Sequence, residues 1–447
     1  MEKLSLSSKF SIKNVLRQCA SPILMMLFIS IYGVVDGIFI SQFDGPDAFA
    51  GINLIFPIVF IVGGTGFMFG SGGSALTSKL LGEGKRDDAN KVFSMMIYFA
   101  FTLGVALSMI LFPFIDDLVI AMSKLSDTTT QLMIDKATLY GRILICSQPF
   151  YIVGTLFQNF FVVDERQGVG FAFTIAAGLT NIVFDALFIG VFKWGVAGAA
   201  IATMMGHLIN CFGPIIYFLK KKDNLITLVL TRFDFKIIGK CSFNGLSDFI
   251  FNISANIIGI VYNIQLLKYI GQVGVSAYGV LMYVSFICIS IFIGITMGMA
   301  PVIGYNFGAK NHEELKRVIK NTFLIILGFS LVLFGLSFGC ARPLARLFSD
   351  NKEIAELSEF AMRIYCVSLL VAGFNIFITG MFTALNDGLT SGLISLVRSL
   401  ISQIIFVFTL PLLFGELGIW ISVIAAECFS FVVSIVLFIT NKKRFCY

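Results

Sequence analysis

GEGKRDDANKV, from Gly82 to Val92, closes one long apolar stretch and opens the next, and the chain repeats it: GAKNHEELKRV runs from Gly308 to Val318 in the same setting. In register, Gly82 faces Gly308, Asp87 faces Glu313, Asp88 faces Glu314 and Lys91 faces Arg317. Upstream, Ala50-Gly51-Ile52 faces Tyr278-Gly279-Val280 after a small shift. The chain is thus two similar halves. In a membrane-spanning chain that build points to a secondary transporter whose substrate crosses between the halves. The signature itself reads in two ways, as a hinge or gate, or as a well-capped junction in which Gly ends one helix and acids favour the start of the next.

The stretches on either side make the membrane reading compulsory. Of 447 residues 57% are apolar and only 13% charged, with 49 Phe and a mean hydropathy of +0.92, a composition foreign to soluble globular domains. Twelve apolar stretches, six per half, are each long enough to cross a hydrocarbon core of ~30 Å as a helix. They are too long and too uniformly apolar for barrel strands, so the expected fold is all-α: twelve transmembrane helices in two pseudo-symmetric six-helix bundles. The division is 1–219 for the N-terminal lobe, 220–240 for a lobe linker and 241–447 for the C-terminal lobe. An even number of spans brings both halves in from the same side as parallel repeats, suited to rocking about a central cavity.

Most of the 32 basic residues, including Lys220-Lys221-Lys222 and Lys442-Lys443-Arg444, fall on one side, which is cytoplasmic by the positive-inside rule. Both termini then face the cytoplasm of a multi-pass plasma-membrane protein. The first ~17 residues are a Lys-bearing amphipathic lead with no small-residue cleavage site, so the first span is expected to stay. The net charge of +6 suits anionic lipid headgroups and gives no sign of nucleic acid. Nine scattered cysteines with no CxxC spacing read as packing residues.

Four acids stand at membrane depth: Asp36, Asp185, Asp248 and Glu427. A charge there costs ~2.5–3.5 kcal/mol on insertion scales, so each must be paired or line a wet cavity. At 1.5 Å per residue, Asp36 in the first span, Asp185 in the fifth and Thr203 in the sixth all lie ~8–12 Å below the same boundary. Asn181 shares a face with Asp185, and Ala199 with Thr203. Two carboxylates, an amide, a hydroxyl and a backbone carbonyl can converge there, an all-oxygen set suited to a hard cation such as Na+ at Asp36 and Asp185, or to a shared proton. The repeat places Tyr262 opposite Asp36, Ile401 opposite Asn181, Ile405 opposite Asp185 and Val423 opposite Thr203. The cluster is therefore one-sided, which favours an ion site over helix glue.

Asp248, Asn252 and Asn256 form a polar face on the seventh span, and with Tyr283, Asn375 and Glu427 they are candidates for a substrate surface. Glu427 faces His207 in the repeat. Arg398 is a buried base that can pair with one of the acids. Four acids against about one base favour organic cations. No Walker A, GxSxG or HExxH pattern is present, so neither an enzyme nor an ATP-driven pump is read, no cofactor or ATPase subunit is called for, and Na+ or H+ is left as the coupling ion.

With these residues in place, the chain resembles the multidrug and toxic compound extrusion (MATE) family over nearly its whole length. Gly304-Tyr305-Asn306-Phe307-Gly308-Ala309-Lys310-Asn311 looks like the family's motif after the eighth helix, and Gly82 to Lys85 is similar to its partner after the second. Asp36, Asn181, Asp185, Ala199 and Thr203 match residues lining the cation site of the family's N-terminal lobe. After the fourth helix, Val162-Val163-Asp164-Glu165-Arg166 replaces the family's Arg-Ala-Asp-Gly-like turn. The resemblance implies sodium- or proton-driven efflux of cationic, amphipathic drugs. A flippase for lipid-linked precursors, from the same superfamily, is the alternative within transport, and a non-transporting receptor or scaffold the alternative outside it.

Overall fold

A backbone in hydrocarbon satisfies its N–H and C=O groups most simply by coiling into a helix. The computed structural model describes residues 5–124, 129–220, 223–348 and 351–447, and no strand occurs among them; Lys221 and Lys222 of the basic run lie outside the described residues. The first half holds α1 (Ile12–Phe43), α2 (Pro46–Gly82), α3 (Arg86–Leu111), α4 (Ile115–Ser123), α5 (Gln131–Val163), α6 (Gln167–Asp185) and α7 (Gly195–Lys220). The second holds α8 (Phe235–Asn244), α9 (Leu246–Tyr269), α10 (Gln272–Gly308), α11 (His312–Gly339), α12 (Ala341–Phe348), α13 (Lys352–Tyr365), α14 (Leu369–Ala384), α15 (Gly388–Leu396), α16 (Ser402–Phe414) and α17 (Glu416–Phe445).

Among the described residues, 11 helical stretches are long and apolar enough to span a membrane. The twelfth is α5, a helix of 33 residues. Asp135, Lys136, Arg142, Gln148 and Gln158 interrupt its apolar run, yet much of the helix is packed away, with Gln148 and Gln158 buried beside Ile152, Leu156, Phe157 and Phe160.

The repeat is written into the backbone as well. Left-handed residues recur in pairs at matching junctions: Gly45 and Gly271 (φ 92 and 86), Gly84 and Lys310 (77 and 56), Glu165 and Asn386 (57 and 61), Gly195 and Gly415 (55 and 58). At the signature, Gly84 N–H bonds Leu81 O and Lys85 N–H bonds Leu80 O, and the second copy repeats both bonds from Lys310 to Phe307 and from Asn311 to Asn306. This double closure satisfies carbonyls that a helix end leaves orphaned. It also holds Lys310 in a conformation that costs an L-residue about 1–2 kcal/mol.

Packing divides the chain into two units, Leu27–Gly245 on the one hand and Met1–Met26 with Leu246–Tyr447 on the other. Compared with the division read from sequence, the opening residues cluster with the second half, and α8 clusters with the first. Hydrophobic periodicity shows which face of a helix is buried but not which neighbour covers it. In the Leu27–Gly245 unit, α8 lies on α2 so closely that a Cβ on Gly72 or Gly245 would strike the carbonyl of Cys241 or Met68. In the other unit, α1 approaches α10 the same way, with Gly294 against the backbone of Ile23 and Gly298 against Cys19.

Non-helical segments lead into these displaced pieces, and side chains at the signature hold them. Arg86 donates Nε–H to Leu225 O (2.9 Å) and a terminal N–H to Asn224 O (2.5 Å). Asp164 accepts the N–H groups of Leu225 and Ile226 (2.6 and 3.1 Å), Asn90 that of Thr227 (2.9 Å) and Ser94 that of Val229 (2.8 Å). In the other unit Glu314 accepts the Phe10 N–H (2.6 Å) and Asn321 donates to Phe10 O (2.8 Å). Hydrogen bonds from a charged group are each worth about 1.5–3 kcal/mol. Arg86→Ala is therefore expected to raise the rate of proteolytic cutting within 224–230 by about tenfold or more. Limited proteolysis in micelles, with Lys91→Ala as control, is the check; equal cutting of wild type and variant would show that Arg86 does not hold the segment.

Candidate cation site

The acids predicted at one depth come together within a single unit. Asp36, half-buried, stands on the later part of α1. Asn181 and Asp185 lie one turn apart on α6, 3% and 0% exposed. Thr203 faces them from α7, taking an Asn181 Nδ2–H bond of 3.3 Å, and Ala199, one turn earlier, is fully buried. Immediately after Asp185 the helix widens to π geometry over Ala186–Val191, a local loosening that recurs where helices carry functional groups.

Asp36 stands beside Asp185 and Asn181, close enough for the three side chains to act on one another. Two carboxylates are both acceptors, so nothing in the pair itself can close the contact. Accordingly, Asp36 Oδ1, both Asp185 oxygens and Asn181 Oδ1 are buried with no hydrogen-bond partner among the described residues. No Lys or Arg forms an ion pair with either acid among the described residues. A buried carboxylate without a donor is strongly disfavoured; three such carboxylate oxygens with an amide oxygen beside them fit a cation or a proton bound between them. The donor set is all oxygen, suited to Na+ rather than to a transition metal. Tyr140 of α5, 1% exposed, brings its hydroxyl to Thr203 beside both acids. Sequence reasoning missed it, because its own helix offers no acid or amide at the right spacing to single it out.

The equivalent place in the second half is chemically closed. Tyr262, the counterpart of Asp36, donates its hydroxyl to Gln403 Oε1 (3.0 Å) and stacks on Tyr278 with ring centroids 5.2 Å apart. The donor meets an acceptor and no charge is left over.

The candidate substrate residues separate. Glu427 is neutralised by Arg398, whose terminal N–H lies 2.9 Å from Oε1 and whose Nε–H is shared between Oε1 and Oε2 (3.0 and 3.1 Å). Asn375 donates to the same carboxylate (2.7 Å) and to the Glu427 backbone carbonyl (3.0 Å). All three side chains are buried. Asn252 and Asn256 turn their amide N–H groups onto their own helix, at Asp248 O (2.8 Å) and Asn252 O (2.9 Å). Asp248 is half-buried at the start of α9, and Tyr283 on α10 is 39% exposed. His207, opposite Glu427 in the repeat, pairs its Nδ1 with Ser147 Oγ (3.1 Å).

Comparison with known proteins agrees with this architecture. A family profile described as MatE matches residues 22–187 and 249–409, one match per half. The Multidrug export protein MepA of Staphylococcus aureus is 26% identical over 428 residues, covering 95% of this chain and 93% of its own. The MepA protein of Staphylococcus saprophyticus is 26% identical over 429 residues with the same coverage. Among solved structures, an outward-facing multidrug resistance MATE family transporter of the MOP superfamily superposes with a TM-score of 0.90 at 21% identity, covering 100% of this chain and 98% of that one.

Proposed function

The chain belongs to the MatE family, and from that premise we propose that this multi-pass membrane transporter is a cation-coupled antiporter, driven by Na+ or H+, that exports small organic compounds. Its substrates are cationic and amphipathic, as befits a relative of proteins named for multidrug export. The protein carries out transport and is not an enzyme. The observation that carries the coupling is the set of four buried, unpartnered oxygens on Asp36, Asn181 and Asp185. A cation entering there neutralises what burial otherwise penalises, and its release on the other side of the membrane couples the site to alternating access. The one-sidedness of the cluster supports a single coupling site in this half, since Tyr262 and Gln403 satisfy each other in the other. The basic loops support a plasma-membrane orientation with both termini inside.

Efflux of ethidium from cells expressing the protein, with the sodium and proton gradients collapsed separately, tests the reading. Export should stop when one of the two gradients is removed and survive loss of the other. Export that persists with both collapsed, or accumulation identical to that of cells lacking the protein, overturns it.

A further inference from the structure

A groove of about 490 Å³ opens between α6 and α7, lined by Phe173, Gly213, Ile216, Tyr217 and Lys220. It lies away from the acids, at the ends of the two helices where Lys220 closes α7 and Arg166 precedes α6. Its floor is apolar, and the missing side chain of Gly213 is what makes it concave: a Cβ there would stand 2.5 Å from the Phe173 ring. Ile216 is 51% exposed along the trough. One cation, Lys220, lines the polar end, and a second, Arg166, stands near the lining Tyr217. Lys220 is exposed, while the Nε of Arg166 is buried with no hydrogen-bond partner among the described residues. Arg166 and Asp164 both lie close enough to Tyr217 for their charges to act on its hydroxyl. Asp164 is already engaged, one oxygen accepting the N–H groups of Leu225 and Ile226.

An apolar trough that ends at a lysine, with an arginine close by, matches a molecule with a hydrocarbon tail and an anionic head. We propose that this groove is a binding site for an anionic phospholipid of the leaflet at the basic end of the bundle, its acyl chain along Phe173 and Ile216 and its phosphate at Lys220 and Arg166. Guanidinium and ammonium donors both form charge-assisted bonds to phosphate oxygens, and basic pockets between membrane helices select anionic headgroups over zwitterionic ones. The site would place a lipid beside the turn at Asp164 that anchors the inter-lobe segment. The proposal rests on the membrane-spanning reading but not on antiport, and its test measures binding alone.

Purified protein in micelles is titrated with phosphatidylglycerol or with phosphatidylcholine of the same chains, and retained lipid is counted by native mass spectrometry. Phosphatidylglycerol should be retained roughly fivefold or more over phosphatidylcholine. The preference should fall in Lys220→Gln, which removes one cation, and in Ile216→Trp, which fills the trough, while Lys193→Gln, at an exposed residue beyond the opposite end of α6, leaves it intact. Size-exclusion profiles of the variants separate loss of the site from loss of the fold, and either folded variant suffices. Equal retention of the two lipids, or a preference that survives both substitutions, overturns the proposal. So does complete displacement by millimolar inorganic phosphate, which would mean an anion site without a lipid component.

Discussion

An Asp36→Asn transporter is expected to reach the membrane folded and to export nothing, with ethidium efflux falling by about two orders of magnitude to the background of cells without the protein. Asparagine keeps the shape of the side chain and one acceptor oxygen but carries neither a charge nor a proton to exchange. Asp185 would then face an amide in place of a second carboxylate, which relieves the repulsion between two neighbouring buried acids. The variant should therefore unfold at the same temperature as the wild type or higher. Stability and transport should move in opposite directions, a pattern that a purely structural role for Asp36 does not produce. Any sodium-dependent rise in unfolding temperature shown by the wild type should vanish with it. Asp116→Asn, at an exposed acid paired with Arg142, supplies the control and should export normally. Full efflux by Asp36→Asn would sink the coupling site.

Arg398→Ala should have the largest effect on stability. It removes a guanidinium that is 7% exposed and leaves the Glu427 carboxylate buried with Asn375 as its remaining donor. Breaking a buried pair from one side costs about 3–5 kcal/mol, whereas replacing both members by apolar groups of similar volume is often neutral. Arg398→Met combined with Glu427→Leu should accordingly recover most of what Arg398→Ala loses. Thermal unfolding in nanodiscs, read as a double-mutant cycle, measures the coupling. If the double replacement loses as much as the sum of its two matching single replacements, Arg398→Met and Glu427→Leu, the pair acts as two independent packing residues.

The contrast between these two sites marks how far the sequence could be read. Asp36, Asn181, Asp185 and Thr203 were legible because depth in a membrane can be counted along a helix, and four polar residues at one level invite a common purpose. Arg398 was visible as a base in need of an acid, but its partner was not, since Asp248 and Glu427 were both within the range of depths that counting allows. Choosing Glu427 takes the rotation and spacing of α15, α16 and α17, which are set by packing. The fate of Asn252 and Asn256 was hidden for a related reason. An amide on a helix can reach across to a neighbour or back to its own carbonyl, and spacing alone does not distinguish the two. The signature at Gly82 and Gly308 was recognisable from repetition, and its helix-ending bonds follow from Gly84 and its left-handed turn. That Arg86 and Glu314 also grip other segments depends on where residues 224–229 and 5–10 run, and the local sequence is silent on that.

The clustering of Met1–Met26 with the second half and of α8 with the first has a consequence for any attempt to take the molecule apart. A gene cut at the linker yields two fragments that match the ancestral repeat and yet are each incomplete, one missing the helix that covers Gly72 and the other missing the helix that covers Gly294. Each fragment carries the piece the other lacks. Each half of the repeat thus lends a piece to the packing of the other, and a half expressed alone lacks part of the cover for its own core. Co-expressed halves should find each other, whereas either one alone should be degraded.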